Sequence, residues 1–398
     1  MKRIDLEFLF KPLADLAPPP FKRNDMSLLF TEFALPSPSG PLKLANRIVV
    51  APMCQYSAHE GLANDWHLAH WTSLLNSGAG LITLEATAVT REGRITPGCL
   101  GLWDDATAAA LQDHLGRARK LAPQVPVSIQ LGHAGRKASS AVPWNGGQLL
   151  DRGQEGWQPL APSALPHLST ETPPTELDAL GLEHIKQSFV KAAERAAAMG
   201  IEVVELHGAH GYLLHEFLSP ISNLRTDAYG GSFENRIRFV MEIFESVRAK
   251  FQGVLGVRLS ATDWLEGGWN PEETASLSVR LQQAGANFVH ISSGGISPHQ
   301  KIAIGPEYQV PFAKQVKGQC GLPTMAVGLI TQAQQAEAIL QRGDADLIAL
   351  ARAFLFNPRW AWQAAAELGG TVQASEQYWR CLPKEAQSIF GNVRIAQR

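Results

Sequence analysis

The sequence predicts an α/β fold of the (β/α)8 or TIM barrel class, formed as one unit of eight strands that are each followed by a helix. The chain of 398 residues is 45% hydrophobic and only 18% charged, a composition with enough apolar material for one large core. Short runs rich in Val, Ile and Leu occur eight times, as is typical of parallel strands buried on both faces. A segment of helix length follows each run. A doubly wound open sheet is the alternative, but it usually has fewer strands, and no GxGxxG loop follows the first run.

The strands and helices alternate along most of the chain. The predicted strands lie at 48–52, 81–86, 127–131, 202–206, 255–259, 288–291, 324–327 and 346–350. The predicted helices lie near 66–77, 104–121, 183–199, 233–250, 272–284, 307–317, 331–342 and 358–368. Thr331 and Asn270 indicate two helix starts, the second strengthened by Pro271. Helix ends are indicated by Gly200, Gly285 and Gly343.

The alternation is interrupted once, by a stretch rich in Gly and Pro from 132 to about 182, between the third strand and its helix. Loops of this length with little regular structure are usually lids or binding loops, so we expect a lid-like insertion there. Met26 begins a segment that reads like a fresh protein start, so residues 1–25 are predicted to form an extension outside the fold. The barrel is then expected at 26–375, followed by a C-terminal tail at 376–398.

Composition and charge argue against several classes of protein. Lys plus Arg number 35 and Asp plus Glu 37, so the net charge of −2 gives no basic excess for binding nucleic acid or acidic lipid. The four cysteines lie far apart and form no CxxC or Cys/His ladder, which argues against a disulfide framework, a structural zinc or an iron–sulfur cluster. The sequence has no signal-peptide core and no uncharged apolar stretch of about 18 residues. We therefore expect no membrane span and a cytoplasmic location.

Polar side chains collect where the predicted strands end, the face that carries the chemistry in barrels of this class. We therefore expect the active site at this face. The side chains are those of Cys54 and Tyr56 after the first strand, Gln130 in the third, His207, His210 and Tyr212 after the fourth, Arg258 in the fifth and Arg352 after the eighth.

Gly328 and Arg352, which follow the last two strands, outline a phosphate site. In such barrels the loops after strands seven and eight commonly hold phosphate. Gly328 lets backbone N–H groups approach closely, and Arg352 can direct a forked pair of hydrogen bonds at phosphate oxygens. The alternative for Gly328 is a plain turn glycine.

Arg258 lies within an apolar strand, where its guanidinium cannot lose its charge and must meet an acceptor. One interpretation is an internal salt bridge. The other is a cation held beside a ligand that gains negative charge. The residue pattern leaves both interpretations open.

The stretch VVELHGAHGY, at 203–212, places His207, His210 and Tyr212 together where a buried strand ends. A metal pair is one interpretation, but no further His, Cys or carboxylate has a spacing that commits it to the same ion. A structural role for either histidine is another. We favour a third, two donors aimed at one oxygen, because donors that face a developing oxyanion are a strong catalytic device. Tyr212 is then a nearby acid or an aromatic wall.

Several longer stretches match one family in that family's own order. They are APMCQYSA, EATAVTREGRITPG, IQLGHAGRKAS, ELHGAHGYLLHEFLSPISNLRTDAYGGSFENR, VRLSATDW and QYWR. They cover most of 28–380, and the fourth is long enough to be highly specific. The chain resembles the Old Yellow Enzyme family of FMN-dependent ene-reductases, and within it the bacterial branch that contains xenobiotic reductases and NADPH dehydrogenases.

The resemblance implies a non-covalently bound FMN. Arg258 would lie beside N1 and the C2 carbonyl of the flavin ring, and Arg352 would hold the phosphate together with the backbone at Gly328 and Ala351. Ala351 departs from the family, which usually has glycine there. The residues implied to lie along the ring are Ala51, Pro52, Met53, Cys54, Ala86 and Gln130, of which Cys54 would tune the redox potential.

The resemblance also implies an NADPH-dependent enzyme that reduces activated C=C bonds of small molecules, such as α,β-unsaturated carbonyl and nitro compounds. His207, His210 and Tyr56 would hydrogen-bond the substrate oxygen, and Tyr212 would deliver a proton after hydride transfer from flavin N5. NADPH and substrate would use one pocket in turn, which is a ping-pong scheme. Arg380, in QYWR, would reach the active site of a neighbouring subunit in a homodimer or homotetramer.

Two other functions fit parts of the pattern. A phosphate-binding barrel lyase or isomerase without flavin would share the site after strands seven and eight, and Glu85 is its best candidate base. A non-enzymatic barrel that binds flavin or another ligand is the second. The complete set of His207, His210 and Tyr212 argues against this second function.

Overall fold

The computed structural model describes residues 27–153, 155–383, 386, 388–391 and 393. The extension predicted at 1–25 and the last residues of the tail predicted at 376–398 lie outside these residues.

Eight parallel strands close into a barrel, which confirms the predicted fold class. Their order around the barrel is β3-β4-β5-β8-β9-β10-β11-β12, and β12 pairs with β3 to close it. The strands are β1 (Phe33–Leu35), β2 (Leu42–Leu44), β3 (Ile48–Val50), β4 (Leu81–Ala88), β5 (Val127–Gly132), β6 (Leu160–Ala161), β7 (Thr175–Glu176), β8 (Val203–Gly208), β9 (Val254–Ser260), β10 (Phe288–Ser292), β11 (Thr324–Ala326) and β12 (Leu347–Leu350).

Helices follow the barrel strands, and all eight predicted helices are present, seven with shifted ends and one, at 233–250, with the predicted bounds. The helices are α1 (Asp65–Leu75), α2 (Asp105–Lys120), α3 (Ala179–Ala198), α4 (Leu213–Leu218), α5 (Phe233–Lys250), α6 (Pro271–Gln283), α7 (Val310–Gln319), α8 (Ala333–Gln341), α9 (Arg352–Phe356) and α10 (Trp360–Leu368). Asn270 caps α6 as predicted, because its side chain accepts a hydrogen bond from Glu273 N at 3.0 Å. The helix start predicted at Thr331 is wrong: α8 begins at Ala333, and Thr331 N donates instead to the side chain of Gln335.

A hairpin that precedes the barrel covers the end where its strands begin. β1 and β2 pair antiparallel, and their Leu35 and Leu44 are fully buried in one apolar cluster with barrel-interior side chains. Five of those side chains belong to the first residue of a barrel strand, namely Leu81, Val203, Val254, Phe288 and Leu347, and Met325 is the second residue of β11. The end where the strands begin is therefore apolar and filled, which leaves the opposite end for polar chemistry.

Near the carboxyl ends of the strands, polar side chains face the barrel interior. Because side chains alternate between the two faces of a strand, residues two apart share a face. Val203 faces the interior, so Glu205 and His207 of β8 face it too. By the same rule Phe288, His290 and Ser292 of β10 all face the interior.

The stretch between β5 and α3 contains two 3-10 turns, Gly135–Lys137 and Pro143–Asn145, and the short parallel pair of β6 and β7. A role as a lid stays a prediction. Among the residues described, no helix combines the length and the apolar character needed to cross a membrane. Within the same part of the chain, no three His, Cys, Asp or Glu side chains are grouped so that they could hold a metal ion.

Candidate active site

The loop after β8 has a tightly constrained backbone. His210 and Gly211 both have left-handed conformations, with φ of 61° and 72°. A Cβ atom at Gly211 would lie 2.1 Å from the carbonyl oxygen of Gly295, so only glycine fits there. The Gly211 N–H donates to Nδ1 of the buried His215 at 2.9 Å, and Nε2 of that ring lies 2.9 Å from Asp263 Oδ1. The loop is therefore anchored from beneath, by a residue of α4.

His207 and His210 are brought together as predicted, with perpendicular rings whose centroids are 5.1 Å apart. His207 Nε2 and His210 Nδ1 are separated by 3.4 Å. Burial lowers the pKa of both rings well below the usual 6.5, and the positive charge of Arg258 lowers it further. Both histidines are therefore neutral at neutral pH, and each ring has one N–H donor and one acceptor nitrogen.

Contacts from three other barrel segments hold His210. Its backbone N–H donates to Ser260 Oγ at 2.9 Å, and its carbonyl oxygen accepts from Lys137 Nζ at 2.8 Å. Its ring Nε2 lies 2.7 Å from Ser292 Oγ. Burial lowers the pKa of Lys137 to about 8. Lys137, Ser260 and Ser292 were not among the predicted site residues, although strand alternation from Phe288 places Ser292 in the barrel interior.

The two tyrosines lie on different sides of the histidine pair. The Tyr212 ring packs edge-on against His207 with centroids 5.0 Å apart, and burial raises the pKa of its hydroxyl well above 10. Tyr56 has a left-handed backbone, with φ of 51°, and its ring contacts Trp144 edge-on. It lines a cavity of about 260 Å³ between the β3 loop and the insertion, together with Lys137. The structure thus joins Tyr212 directly to the pair and places Tyr56 on the wall of a cavity next to it.

A buried polar layer lies inside the barrel below the histidines. Gln130 Nε2 donates to Glu205 Oε1 at 2.7 Å, and His290 Nδ1 lies 2.8 Å from Glu205 Oε2. Burial alone would raise the pKa of Glu205, but His290, Arg258 and Gln130 together hold it below its usual value. Glu205 is therefore an anion in the barrel interior.

Arg258 has an unused donor in this layer. It is 7% exposed, and its Nε has no hydrogen-bond partner among the described residues. Glu205 exerts the strongest attraction on it, but both oxygens of Glu205 already accept from Gln130 and His290. Since a buried guanidinium donor without a partner is costly, this favours the second interpretation, a cation beside a ligand.

The end of β3 and the middle of β4 form one wall of the site. Ala51 is buried, Cys54 is half-buried, and Ala86 lies opposite Gln130 in the ladder between β4 and β5. Burial, followed by the charges of Cys99 and Glu85, raises the pKa of Cys54 well above 9.0, so it stays a neutral thiol. Pro52 and Met53, predicted beside them, are half-buried.

Glu85 lies in the bulge of β4, where the register shifts between Leu84 and Ala86. It is 2% exposed, and its Oε2 accepts from the N–H of Gln55 at 3.0 Å. It does not line any of the cavities found beside His207, Tyr56 or Arg258 among the described residues. As the candidate base of a lyase it has no observed access to a substrate.

A cavity of about 190 Å³ extends from Arg258 to the loops after β11 and β12, where Gly328, Ala351 and Arg352 line it. Gly328 has φ of +128°, and a Cβ atom there would lie 3.0 Å from the Cβ of Gln309, so its backbone conformation and its surroundings both favour glycine. Ala351 has φ of −106°, which lies outside the left-handed region that favours glycine.

Arg380 lies apart from the other predicted residues. It is exposed in the 3-10 turn Glu376–Cys381. Tyr378 in this turn contacts Trp362 of α10 and Arg359, and the adjacent Ser375 donates to Asn76 at the end of α1. The turn therefore packs on the outer helices of the barrel.

The chain matches known proteins along most of its length. A family model described as the NADH:flavin oxidoreductase / NADH oxidase family matches residues 33–369. An NADPH dehydrogenase from Geobacillus sp. (strain WCH70) is 42% identical over 344 residues, which is 85% of this chain and 94% of that protein. Among solved structures, morphinone reductase is similar with a TM-score of 0.71 at 26% identity, covering 94% of this chain and 99% of that one. The old yellow enzyme homologue from Zymomonas mobilis has a TM-score of 0.69 at 24% identity, covering 91% and 99%, a likeness of fold alone.

Proposed function

The chain belongs to the NADH:flavin oxidoreductase / NADH oxidase family, and from this premise we propose that it reduces activated C=C bonds of small molecules with electrons from NADPH. Membership confirms the resemblance to the Old Yellow Enzyme family and makes the protein an FMN-dependent oxidoreductase. The proposed substrates are α,β-unsaturated carbonyl and nitro compounds. The described residues form one barrel without a second nucleotide-binding domain, which supports alternate use of one pocket by NADPH and substrate.

The residues present fit FMN. The buried Arg258 offers a donor without a partner, and it borders the cavity that runs to Gly328 and Arg352. In this proposal Arg258 faces the electron-rich part of the flavin ring, and Arg352 holds the phosphate without a covalent link. The ring would lie along the residues predicted for it, which are Ala51, Pro52, Met53, Cys54, Ala86 and Gln130. When bound, FMN takes up hydride from NADPH and supplies hydride to the substrate.

The neutral histidine pair carries the proposal, because two imidazoles with nitrogens 3.4 Å apart meet where β8 ends. Two N–H donors aimed at the carbonyl or nitro oxygen of a substrate draw electron density away from the C=C bond. They bind the enolate or nitronate oxygen more strongly than the neutral oxygen of the substrate, so they lower the barrier. Tyr56 is placed to join them from the adjacent cavity wall.

Tyr212 is proposed to deliver the proton. Its hydroxyl remains protonated at all physiological pH values because burial raises its pKa. Its ring is fixed edge-on against His207, so its position relative to the bound oxygen is set by the same loop. It protonates the α-carbon as the enolate collapses, and water or a neighbouring donor restores its proton.

The test compares His207→Ala and His210→Ala with wild-type enzyme and with His184→Ala, an exposed histidine on α3. Each donor to a developing oxyanion contributes roughly 3–4 kcal/mol in a shielded site, so each variant should reduce cyclohexenone about 10²–10³-fold more slowly. Flavin reduction by NADPH should fall less, because nicotinamide develops no oxyanion there. Phenols should bind wild-type enzyme and add a long-wavelength absorption band, since a phenolate oxygen imitates an enolate.

Both site variants should lose the phenol band while retaining FMN, and His184→Ala should keep it. Variants that keep phenol binding and enone turnover near the wild-type values would mean that the pair is structural. The proposed function would then be wrong.

A further inference from the structure

The ring of His210 has a defined partner at each nitrogen. Nδ1 faces His207 Nε2 at 3.4 Å, and Nε2 faces Ser292 Oγ at 2.7 Å. Ser292 is 3% exposed and is the last residue of β10. The shorter of the two contacts therefore belongs to Ser292, which also lines the cavity that runs from Arg258 to Arg352.

The position of the proton on His207 follows from its own contacts. Nδ1 of His207 accepts a hydrogen bond from the N–H of Ala209 at 3.3 Å. A neutral imidazole has one N–H, so the proton of His207 is on Nε2, pointing toward His210. One donor of the pair is thus fixed by the backbone.

The second donor depends on the tautomer of His210. If its proton is on Nε2, that nitrogen donates to Ser292, and Nδ1 can only accept from His207. The two rings then satisfy each other and present no pair of donors. If the proton is on Nδ1, the two N–H groups converge on the space between the rings, and one oxygen there can accept from both. Which nitrogen of an imidazole carries the proton is set by the hydrogen bond that the other nitrogen makes.

A serine hydroxyl suits this role because it both donates and accepts. Ser292 Oγ has one competing acceptor, Gln309 Oε1 at 3.3 Å. That oxygen already accepts from Ser293 Oγ at 2.7 Å, a shorter contact. The Ser292 hydroxyl can therefore turn its proton to His210 Nε2 without leaving Gln309 unsatisfied.

We propose that Ser292 is a positioning residue for the reaction: when an anionic oxygen lies between the histidines, its hydroxyl donates a hydrogen bond to His210 Nε2. This fixes the proton of His210 on Nδ1 and makes His210 a donor. The inference rests on the proposed function, since it needs an oxygen bound by the pair. Ser260 and Lys137 hold the backbone of His210, so the change of role takes place in the ring rather than by movement of the loop.

The first experiment measures phenol affinity, from the long-wavelength band, in Ser292→Ala, Ser292→Thr and Ser293→Ala holoenzymes of equal FMN content. Ser293→Ala is the matched control, because that serine also donates to Gln309 but has no contact with His210. Ser292→Ala should bind phenol about tenfold more weakly, the worth of one hydrogen bond in a buried site. Ser292→Thr, which keeps a hydroxyl, should recover most of the loss, and Ser293→Ala should bind as wild-type does. Equal affinity of Ser292→Ala and wild-type, or an equal loss in Ser293→Ala, would overturn the proposal.

The second experiment needs no variant of Ser292. In enzyme labelled with 15N in histidine, the NMR signals of His210 are assigned without phenol by their absence in His210→Ala, and they are then followed in the wild-type enzyme as phenol is added. The proposal expects the proton on Nδ1 of His210 in the complex. A proton on Nε2 in the complex would overturn it even if Ser292→Ala does not fold.

The two proposals fail in different ways. Loss of phenol binding in His210→Ala with no change in Ser292→Ala would overturn the role of Ser292 and leave the proposed function standing. Unchanged phenol binding in His210→Ala would overturn the proposed function itself.

Discussion

Burial sets the protonation state of most titratable groups at the site. It keeps His207 and His210 neutral, and it keeps Tyr212 and Cys54 protonated. The charges that remain nearby include those of Arg258 and Glu205, inside the barrel, and that of Lys137, whose pKa of about 8 leaves it largely protonated at neutral pH. Sequence reasoning reached part of this result, because an arginine within an apolar strand predicts a buried cation. The sequence alone does not show whether Arg258 forms an internal salt bridge or faces a ligand. That depends on the partners of Glu205, which are set by the alignment of three strands.

The effect of burial on a carboxyl pKa can be tested at Glu85. Burial raises its pKa from 4.5 to about 8, so in the native state it is protonated up to that pH. In the unfolded chain it ionises above about 4.5. The native state therefore binds more protons between these values, and the wild-type protein loses stability as pH rises from about 5 to 8. Glu85→Gln removes this titration while an amide oxygen still accepts from the N–H of Gln55.

We expect the free energy of unfolding of Glu85→Gln, relative to wild-type, to rise by roughly 1–3 kcal/mol between pH 5 and pH 8. Urea unfolding of the two holoenzymes at matched FMN concentration measures it. A difference that does not change with pH would show that Glu85 does not titrate in this window. The same variant should retain enone turnover, which a catalytic base could not.

At the scale of elements, the pattern of apolar residues predicted the barrel strands and helices, but it did not predict the hairpin, the short helix α4 or the bulge in β4. All eight barrel strands and their helices were predicted, because runs of Val, Ile and Leu separated by capped helices give a strong signal. The hairpin of β1 and β2 was missed, because β1 is followed directly by Pro36 and Lys43 interrupts the apolar residues of β2. The helix α4, at Leu213–Leu218, was missed because its six residues are all buried and show no polar face. The bulge at Glu85 is a shift in the register between β4 and β5, and the sequence of one strand does not reveal how it pairs with its neighbour.

The backbone of the loop between β8 and α4 sets the position of His210. Gly211→Ala would place a methyl group 2.1 Å from the Gly295 carbonyl oxygen and force a left-handed backbone on alanine. Gly231→Ala is the matched control, because Gly231 has φ of +81° with nothing within 4 Å of a Cβ atom. The control should cost about 1–2 kcal/mol of stability from backbone strain alone.

Gly211→Ala should cost more than the control in urea unfolding, and it should also weaken phenol binding because it displaces the neighbouring His210. Gly231→Ala should leave phenol binding unchanged. Equal losses in both variants, with phenol binding intact in both, would mean that the loop tolerates the methyl group and does not set the position of His210.

At the scale of the whole molecule, the barrel gathers residues that lie far apart in sequence. The carboxyl ends of parallel strands meet at one face, so a site with contributions from β3, β5, β8, β9 and β12 was predictable from strand order alone. The supporting contacts of Lys137, Ser260 and Ser292 were not. Each depends on the distance between its side chain and the loop that carries His210, and these distances are fixed only when the barrel closes.

If Arg380 contributes to a neighbouring active site, as predicted from the sequence, residues of a second subunit would also be brought to the site. Tyr378 and Ser375 fix the turn on α10 and α1, while Arg380 is exposed and makes no hydrogen bond or ion pair with the described residues of its own protomer. An exposed guanidinium on an anchored turn suits contact with a partner. In a closed dimer each subunit would then complete the site of the other.

Mixing two defective variants tests this arrangement. His207→Ala has a disabled site but an intact Arg380, whereas Arg380→Ala has an intact histidine pair without its partner arginine. After dissociation and reassociation of an equal mixture, random pairing makes half of the dimers mixed, and one site in each mixed dimer is complete. Enone turnover should therefore return to about a quarter of wild-type if Arg380 acts across the interface of a dimer. A mixture no more active than the average of the two variants, or a monomer on sizing columns, would place Arg380 outside the active site.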